Sequence, residues 1–394
     1  MPHIEHFSIR GFKSIRKLEN FELKPLNILI GANGVGKSNL LSLFKMLSAL
    51  SQRRLQLFVK NEGGPDALLF GGRKLTSKLE VALSFENNRY RYEFSLEPTA
   101  DSVAFSGEKL LTAFGSLVSA DGSSESDMFD DISNIVEYMS DIDQHMSHAH
   151  PAEFASYVDS ASFAEFVSFA EFASYVLSHM EHWRVFHFQD MSDTAHVRNQ
   201  SDVRDNLRLR PDAGNLAPFL RHLREHYPNH YRRIIDVIRL SAPFFKDFVY
   251  RKNQNLGDSM DLEWEAWGDP DMAFGPRQLS DGTLRFICLA TLLNQPEILR
   301  PNLILIDEPE LGLHPFALTL LAEMIQQAAD LQQIIISTQS AELVSHFEPE
   351  DIVVVDRKNK ESVFRRLNSE LLASWLEDYT LGDLWKMNVL GGRP

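Results

Sequence analysis

Gly31-Ala32-Asn33-Gly34-Val35-Gly36-Lys37-Ser38 follows the apolar run Leu26 to Ile30 and leads into the helical pattern Asn39 to Leu50. A G-x-x-x-x-G-K-S between a strand and a helix is the phosphate-binding P-loop. Its glycines let backbone N–H groups curl around β- and γ-phosphates, the helix N-terminus adds partial positive charge, and Lys37 sets a full charge on the same oxygens. Ser38 is placed to put its hydroxyl on Mg2+. ATP is the expected ligand, held by Asn33, Gly34, Gly36, Lys37, Ser38 and Asn39.

A second half of such a site lies far along the chain. Asn302 to Ile306 reads as a buried strand ending in Asp307-Glu308-Pro309-Glu310, a Walker B sequence. Asp307 is expected to hold Mg2+ through water, and Glu308 to polarise the attacking water as general base. Gln332 to Ser337 reads as another buried strand, ending in Thr338-Gln339-Ser340. Between P-loop and Walker B, Leu279-Ser280-Asp281-Gly282-Thr283 precedes the helical run Leu284 to Leu293. By itself Ser280-Asp281-Gly282 at the head of that run reads as a helix cap; its place shortly before Walker B gives it further weight.

Composition narrows the classes. At 394 residues and 44% hydrophobic content the chain can build one large domain or two ordinary ones. No apolar run approaches membrane-spanning length and Met1 to His6 lacks a signal-peptide shape, so a cytoplasmic protein without a membrane partner is expected. Cys288 is the only cysteine, which excludes internal disulfides and multi-thiolate metal sites. A net charge of −16 speaks against a surface that coats nucleic acid throughout, while leaving room for a local basic patch.

Taken in order, His3 to Arg10 and Ile15 to Leu23 are expected strands around Gly11-Phe12-Lys13-Ser14. Lys78 to Phe85 and Tyr90 to Leu96 are expected to form a hairpin across Glu86-Asn87-Asn88, after a Gly-rich loop at 63 to 72. From Ala100 the character changes, and no Lys or Arg occurs between Lys109 and Arg184. Within this acidic stretch Ala152-Glu153-Phe154-Ala155-Ser156-Tyr157-Val158 recurs unchanged at 170–176, a short tandem duplication with a helical apolar stripe. It reads as a helical insert packing on its own lobe, or as a docking surface for a partner protein; without cations it has no grip on a phosphate backbone. Residues 184–252 then hold thirteen Lys/Arg, Arg198 and Arg204 among them, against eight Asp/Glu. A solvated helical surface, with helices at Asn215 to Glu225 and His230 to Leu240, competes there with a phosphate-contacting or partner-contacting patch. The resulting division is 1–99, a β-rich lobe with the P-loop; 100–182, an acidic insert; 183–270, a helical basic lid; and 271–394, the signature, Walker B and switch segment.

These motifs together resemble ABC-type ATPases of the RecF, SMC and OLD (overcoming lysogenization defect) group, nearest to stand-alone predicted ATPases of the AAA-21 and AAA-15 type. The resemblance rests on Ile9-Arg10-Gly11-Phe12-Lys13-Ser14, the N-G-x-G-K-S-N form of the P-loop, and the signature-like Leu279 to Thr283 with Asp281 where the family has its first Gly. The block Glu308-Pro309-Glu310 to His314-Pro315 and the ending Leu381 to Pro394 add to it. It implies an α/β P-loop NTPase, an ABC-ATPase head with a β-rich N-terminal lobe, a helical insert and a C-terminal lobe. It also implies an ATP-bridged homodimer, open to higher assembly, in which Ser280, Asp281 and Gly282 meet ATP held by the other subunit. By position Gln189 becomes the Q-loop glutamine that senses Mg2+ and water, and Gln339 takes the switch position usually held by His. A glutamine there can donate a hydrogen bond but cannot take up a proton or a positive charge, so slow turnover and a persistent ATP-bound dimer are expected. About fifty residues follow the switch, fewer than a nuclease domain needs, so any effector is expected on a separate polypeptide. The resemblance implies a clamp or switch on DNA or on such an effector, in bacterial anti-phage defence. The alternatives are a RecF-like repair ATPase binding DNA through residues 184–252 and, more distantly, a transporter's nucleotide-binding subunit.

Overall fold

The computed structural model describes residues 3–86, 88–112, 116–119, 123–126, 176, 180, 183–250, 258–268 and 272–393. They form two compact units. One comprises Met1–Lys24, Ser42–Trp183 and Arg357–Val363; the other comprises Pro25–Leu41, Arg184–Asp356 and Phe364–Pro394. The tandem repeat of the acidic stretch lies outside the described residues except for Val176, which like Met180 is buried.

The first unit is built on a six-stranded antiparallel sheet in the order Ile15–Glu22, Ile4–Phe12, Leu79–Phe85, Tyr90–Pro98, Val103–Thr112, Ser116–Ser119. One face carries Phe7, Ile9, Val81, Leu83, Tyr92, Phe94 and Leu96, all buried, as alternation on a half-solvated sheet requires. The expected hairpin is present, running from Leu79↔Leu96 to Phe85↔Tyr90, and Glu86 and Asn88 at its tip take left-handed backbone angles of φ +48° and +60°. The sheet runs on past residue 99. Val103 and Phe105 face the core, but a bulge opposite Ser95/Leu96 shifts the phase, so Glu108 and Leu110 become the next inward residues. That slip hides the strand from a period-two reading. Buried Glu108 is held by the Tyr92 hydroxyl and the Ser126 hydroxyl, both at 2.5 Å. Gly63-Gly64 and Gly71-Gly72 lie in loops as expected, and the short helices Leu55–Asn61 and Pro65–Leu68 beside them bury Leu55, Val59 and Leu68.

The second unit is organised by five parallel strands in the order Ile352–Lys358, Leu26–Ile30, Gln333–Thr338, Leu303–Asp307, Arg184–Phe186, in registers such as Val353↔Leu29, Ile28↔Ile336, Ile335↔Leu305 and Leu305↔Val185. Leu26–Ile30 and Gln333–Thr338 are buried at every position, as strands covered on both faces must be. Helices Asp281–Asn294 and Pro315–Ala329 bury most of their residues in the same core. Because these strands are parallel neighbours, Ile30, Asp307, Thr338 and Phe186 all end at one edge of the sheet, where ligands of open α/β sheets are bound.

The basic region folds as helices Leu216–His226 and Pro228–Ser241, which bury Phe219, Leu220, Leu223, Ile234, Ile235 and Ile238. Many of its cations have local partners. Arg204 pairs with Asp202 and Asp258, Arg210 with Asp205, Arg221 with Glu225, Arg239 with Asp236 and Lys246 with Glu265, while Arg224 covers the rings of Tyr231 and Tyr250. Arg198, a candidate for that patch, is instead buried, its side chain only 4% exposed.

Candidate nucleotide site

The P-loop leaves its strand beside Val355. A Cβ on Gly31 would lie 2.3 Å from the Val355 carbonyl oxygen, so only glycine fits where the chain turns away. Gly34 and Gly36 then take φ +75° and +116°, angles that curl the backbone amides inward. Lys37 opens the helix Lys37–Ser51 and is 5% exposed. Its Nζ folds back to donate to the carbonyls of Gly31 at 2.5 Å and Ala32 at 3.0 Å. Burial lowers its pKa, and the opposing charges of Glu308, Asp307 and Glu310 raise it. The lysine is a buried cation facing three carboxylates.

Those carboxylates come from the Walker B strand, Leu303–Asp307, and the turn after it. Asp307 accepts a hydrogen bond from the Ser337 hydroxyl and lies 3.5 Å from the Ser38 hydroxyl, so P-loop, Walker B and the neighbouring strand meet at one side chain. Glu308 has φ +49°, a left-handed conformation rarely held by a glutamate and costing roughly 1–3 kcal/mol. Its amide donates to the Ser337 carbonyl at 2.9 Å, and its carboxylate accepts from the Gln339 side-chain amide. Gln339 thus engages Glu308 directly. The Gln339 backbone N–H donates to Glu310 at 2.7 Å.

Glu310 escaped the sequence reading as a site residue. Its other carboxylate oxygen is buried without a partner. Burial raises its pKa, the bonds from the Gln339 amide and the Thr338 hydroxyl oppose the shift, and the charge of Glu308 adds to it. A carboxyl whose pKa is raised on folding contributes stability below its unfolded pKa and loses it as pH rises through the folded value. Glu310→Gln is therefore expected to raise the thermal midpoint by about 1–3 °C at pH 8, with the gain vanishing near pH 4; paired melting curves across that range check it.

Ser280 caps the helix Asp281–Asn294, its hydroxyl accepting from the Thr283 amide at 3.2 Å. A Cβ on Gly282 would lie 2.2 Å from the carbonyl oxygen of Gly312, so the signature turn is pressed against the loop that follows Walker B. Asp281 pairs with Arg198 at 2.6 Å, and the same guanidinium donates to the carbonyls of Met191, Pro276 and Leu279. Arg285, one turn into the helix, donates to the carbonyls of Phe188 at 2.6 Å, Gln189 at 3.0 Å and Leu311. The Gln189 side chain is exposed while its carbonyl is thereby fixed. Neither arginine was singled out for this role. An arginine inside an otherwise apolar helix, as Arg285 is, was the signal available.

The donor set suits a nucleotide with Mg2+. Among the described residues no three His, Cys, Asp or Glu side chains are arranged to hold a metal by themselves. Asp307 with the Ser38 hydroxyl instead offers a hard oxygen pair, the incomplete shell that Mg2+ fills with phosphate oxygens and water.

Residues 26–345 match the family model described as "AAA domain, putative AbiEii toxin, Type IV TA system". The chain belongs to this family. It is a P-loop ATPase family, and the chain has the fold of ABC-type ATPase heads of the RecF/SMC group. Among solved structures, an Smc head bound to the C-winged helix domain of ScpA is 15% identical with a TM-score of 0.54, the match covering 94% of this chain and 99% of that one. An Smc head with an extended coiled coil, bound to the C-terminal domain of ScpA from Pyrococcus furiosus, is 16% identical over 96% and 99% of the two chains, with a TM-score of 0.48. The SMC head domain from Thermotoga maritima is 13% identical over 93% and 99%, with a TM-score of 0.43. At these identities the first likeness speaks for fold alone. No curated protein matches the chain. Among the described residues no helix is long and apolar enough to cross a membrane.

Proposed function

We propose that the chain binds and slowly hydrolyses ATP, that two copies close on the nucleotide, and that the closed pair is a switch for a separate effector polypeptide. The observation that supports this best is the meeting of Lys37, Ser38, Asp307, Glu308 and Gln339 at one edge of the parallel sheet, with Gln339 bonded to Glu308. Lys37 exchanges two loop carbonyls for phosphate oxygens. Asp307 and Ser38 would hold Mg2+, which when bound neutralises phosphate charge. Glu308 takes the proton of the attacking water, and Gln339 keeps that carboxylate aimed. Gln339 adds no charge of its own, so the site stabilises the transferring group less than one with an imidazolium and turns over slowly.

Ser280 and the Gly282 backbone, on a helix N-terminus, are the surface offered to ATP held by the second copy. The exposed Gln189 side chain is free to approach Mg2+ and water on closure. An effector on another chain fits the family's tie to a toxin–antitoxin system, and an Smc head of the same fold is seen holding a ScpA domain. A role in anti-phage defence follows from that reading. The local pairing of so many cations in residues 198–246 leaves a directly DNA-binding ATPase with less support.

The test is Ser280→Arg, which sets bulk and charge on the face offered to the second nucleotide. Steady-state ATP hydrolysis should fall at least about tenfold, and ATP-dependent pairing by light scattering should be lost, with ATP affinity of the single chain kept. Normal hydrolysis by this variant would sink the two-copy reading.

A further inference from the structure

The helix Ser369–Leu376 is capped by Asn368 and buries none of its eight residues fully, although half of them are large and apolar. Leu372 and Leu376 lean against the core of the second unit. The outward stripe Leu371, Trp375 and Tyr379, spaced four residues apart, is 81%, 44% and 43% exposed, and the two rings lie 6.3 Å apart. A solvated helix face is ordinarily charged. Aromatic and leucine side chains aligned in water are what interface anchors look like before their partner arrives.

The surroundings choose the partner. From Leu367 to Trp385 the chain carries Glu370, Glu377, Asp378 and Asp383 and no Lys or Arg; Lys386, the next residue, pairs with Asp383 at 3.9 Å and leaves Glu370, Glu377 and Asp378 as the acids beside the stripe. A nucleic acid would meet those acids, with the one adjoining lysine already paired. A second copy meeting this face with the same face would bring like charges together. We propose that Leu371, Trp375 and Tyr379 form the docking site for a basic amphipathic helix of a partner protein, its apolar side on the stripe and its Lys and Arg on Glu370, Glu377 and Asp378. This rests on the reading of the chain as a switch for a separate effector.

The place of this surface suits that role. Ser340, next to Gln339, caps the short helix Ala341–Val344. That helix lies hard against Leu381–Lys386: a Cβ on Gly382 would be 2.0 Å from the Ala341 carbonyl oxygen, and the Ser345 hydroxyl is 3.1 Å from that of Thr380. Thr380 follows Tyr379 directly. A shift at Gln339 therefore reaches the stripe through backbone in van der Waals contact.

The test places a photo-crosslinking amino acid at Leu371 in the full chain, expressed in its own host, and identifies the captured peptide by mass. A peptide of another protein with alternating apolar and Lys/Arg residues at helical spacing is expected. A synthetic copy of it should bind the purified full chain and lose at least tenfold in affinity on Leu371→Glu, on Trp375→Ala, and on Glu377→Lys with Asp378→Lys. Capture of a second copy of this chain, of nucleic acid, of an acidic or extended segment, or of nothing would overturn the proposal. Leu371→Glu should keep wild-type ATP hydrolysis and pairing, so a failed capture leaves the ATPase reading standing. If the peptide binds yet hydrolysis is absent in the wild type, the switch reading fails and the docking site remains.

Discussion

Lys37→Ala is expected to weaken MgATP binding by at least about 100-fold, or about 2.7 kcal/mol, by calorimetric titration at constant salt. The size follows from what surrounds the ammonium. It is buried, it faces Asp307, Glu308 and Glu310, and its present partners are two carbonyls of its own loop. Removing it deletes the positive charge that faces those carboxylates, so an incoming triphosphate meets acids that Lys37 no longer offsets. The effect exceeds that of a lost surface ion pair, because partial burial keeps solvent from screening the repulsion. Lys37→Arg should fail nearly as badly, since the wider guanidinium does not fit where a slender stem now runs back to the Gly31 and Ala32 carbonyls. Both variants should melt within a few degrees of the wild type. Tight binding by Lys37→Ala would mean that the Gly31 to Ser38 loop is not the phosphate cradle.

The P-loop and Walker B motifs can be read from sequence because each rests on local rules. Gly31, Gly36 and Lys37 have fixed spacing and a strand and helix on either side, and Asp307-Glu308 ends an apolar run. What was not legible depends on neighbours distant in sequence. The strand Val103–Thr112 is masked by a bulge at Ser106, visible only in its register against Ser95 and Leu96 of the partner strand. Ile352–Lys358 could be read as a strand, but its place beside Leu26–Ile30, which makes Gly31 obligatory, could not. Arg198 illustrates the limit best. By sequence it was one more cation in a basic stretch, while in the fold it fastens Met191, Pro276, Leu279 and Asp281 together. Asp281, the departure from the family's Gly, acquires its reason only when that buried guanidinium is seen beside it. Glu310 was hidden likewise, since the burial of its unpartnered oxygen is a property of the assembled site.

Glu308→Gln should lower kcat by about 10²- to 10³-fold while leaving ATP affinity within about threefold of wild type, and the ATP-bound pair should accumulate on light scattering. In activation terms this is about 3–4 kcal/mol, the contribution of one positioned base. The substitution removes a proton acceptor and little else. Glutamine retains an oxygen for the Gln339 amide, and its backbone keeps the φ +49° geometry and the bond to the Ser337 carbonyl, so the strain at this residue is unchanged and the thermal midpoint should be too. Equal stability with lost turnover separates a chemical role from a structural one. Gln339→Ala supplies the second leg of a cycle. If Gln339 acts by aiming Glu308, its removal should slow the wild type by about tenfold yet cost nothing further in Glu308→Gln, because the group it aims is already inert. Additive losses would instead mean that Gln339 touches the phosphate independently. Undiminished hydrolysis in Glu308→Gln would remove Glu308 as the base, and with it the reason for a strained glutamate bonded to the switch side chain.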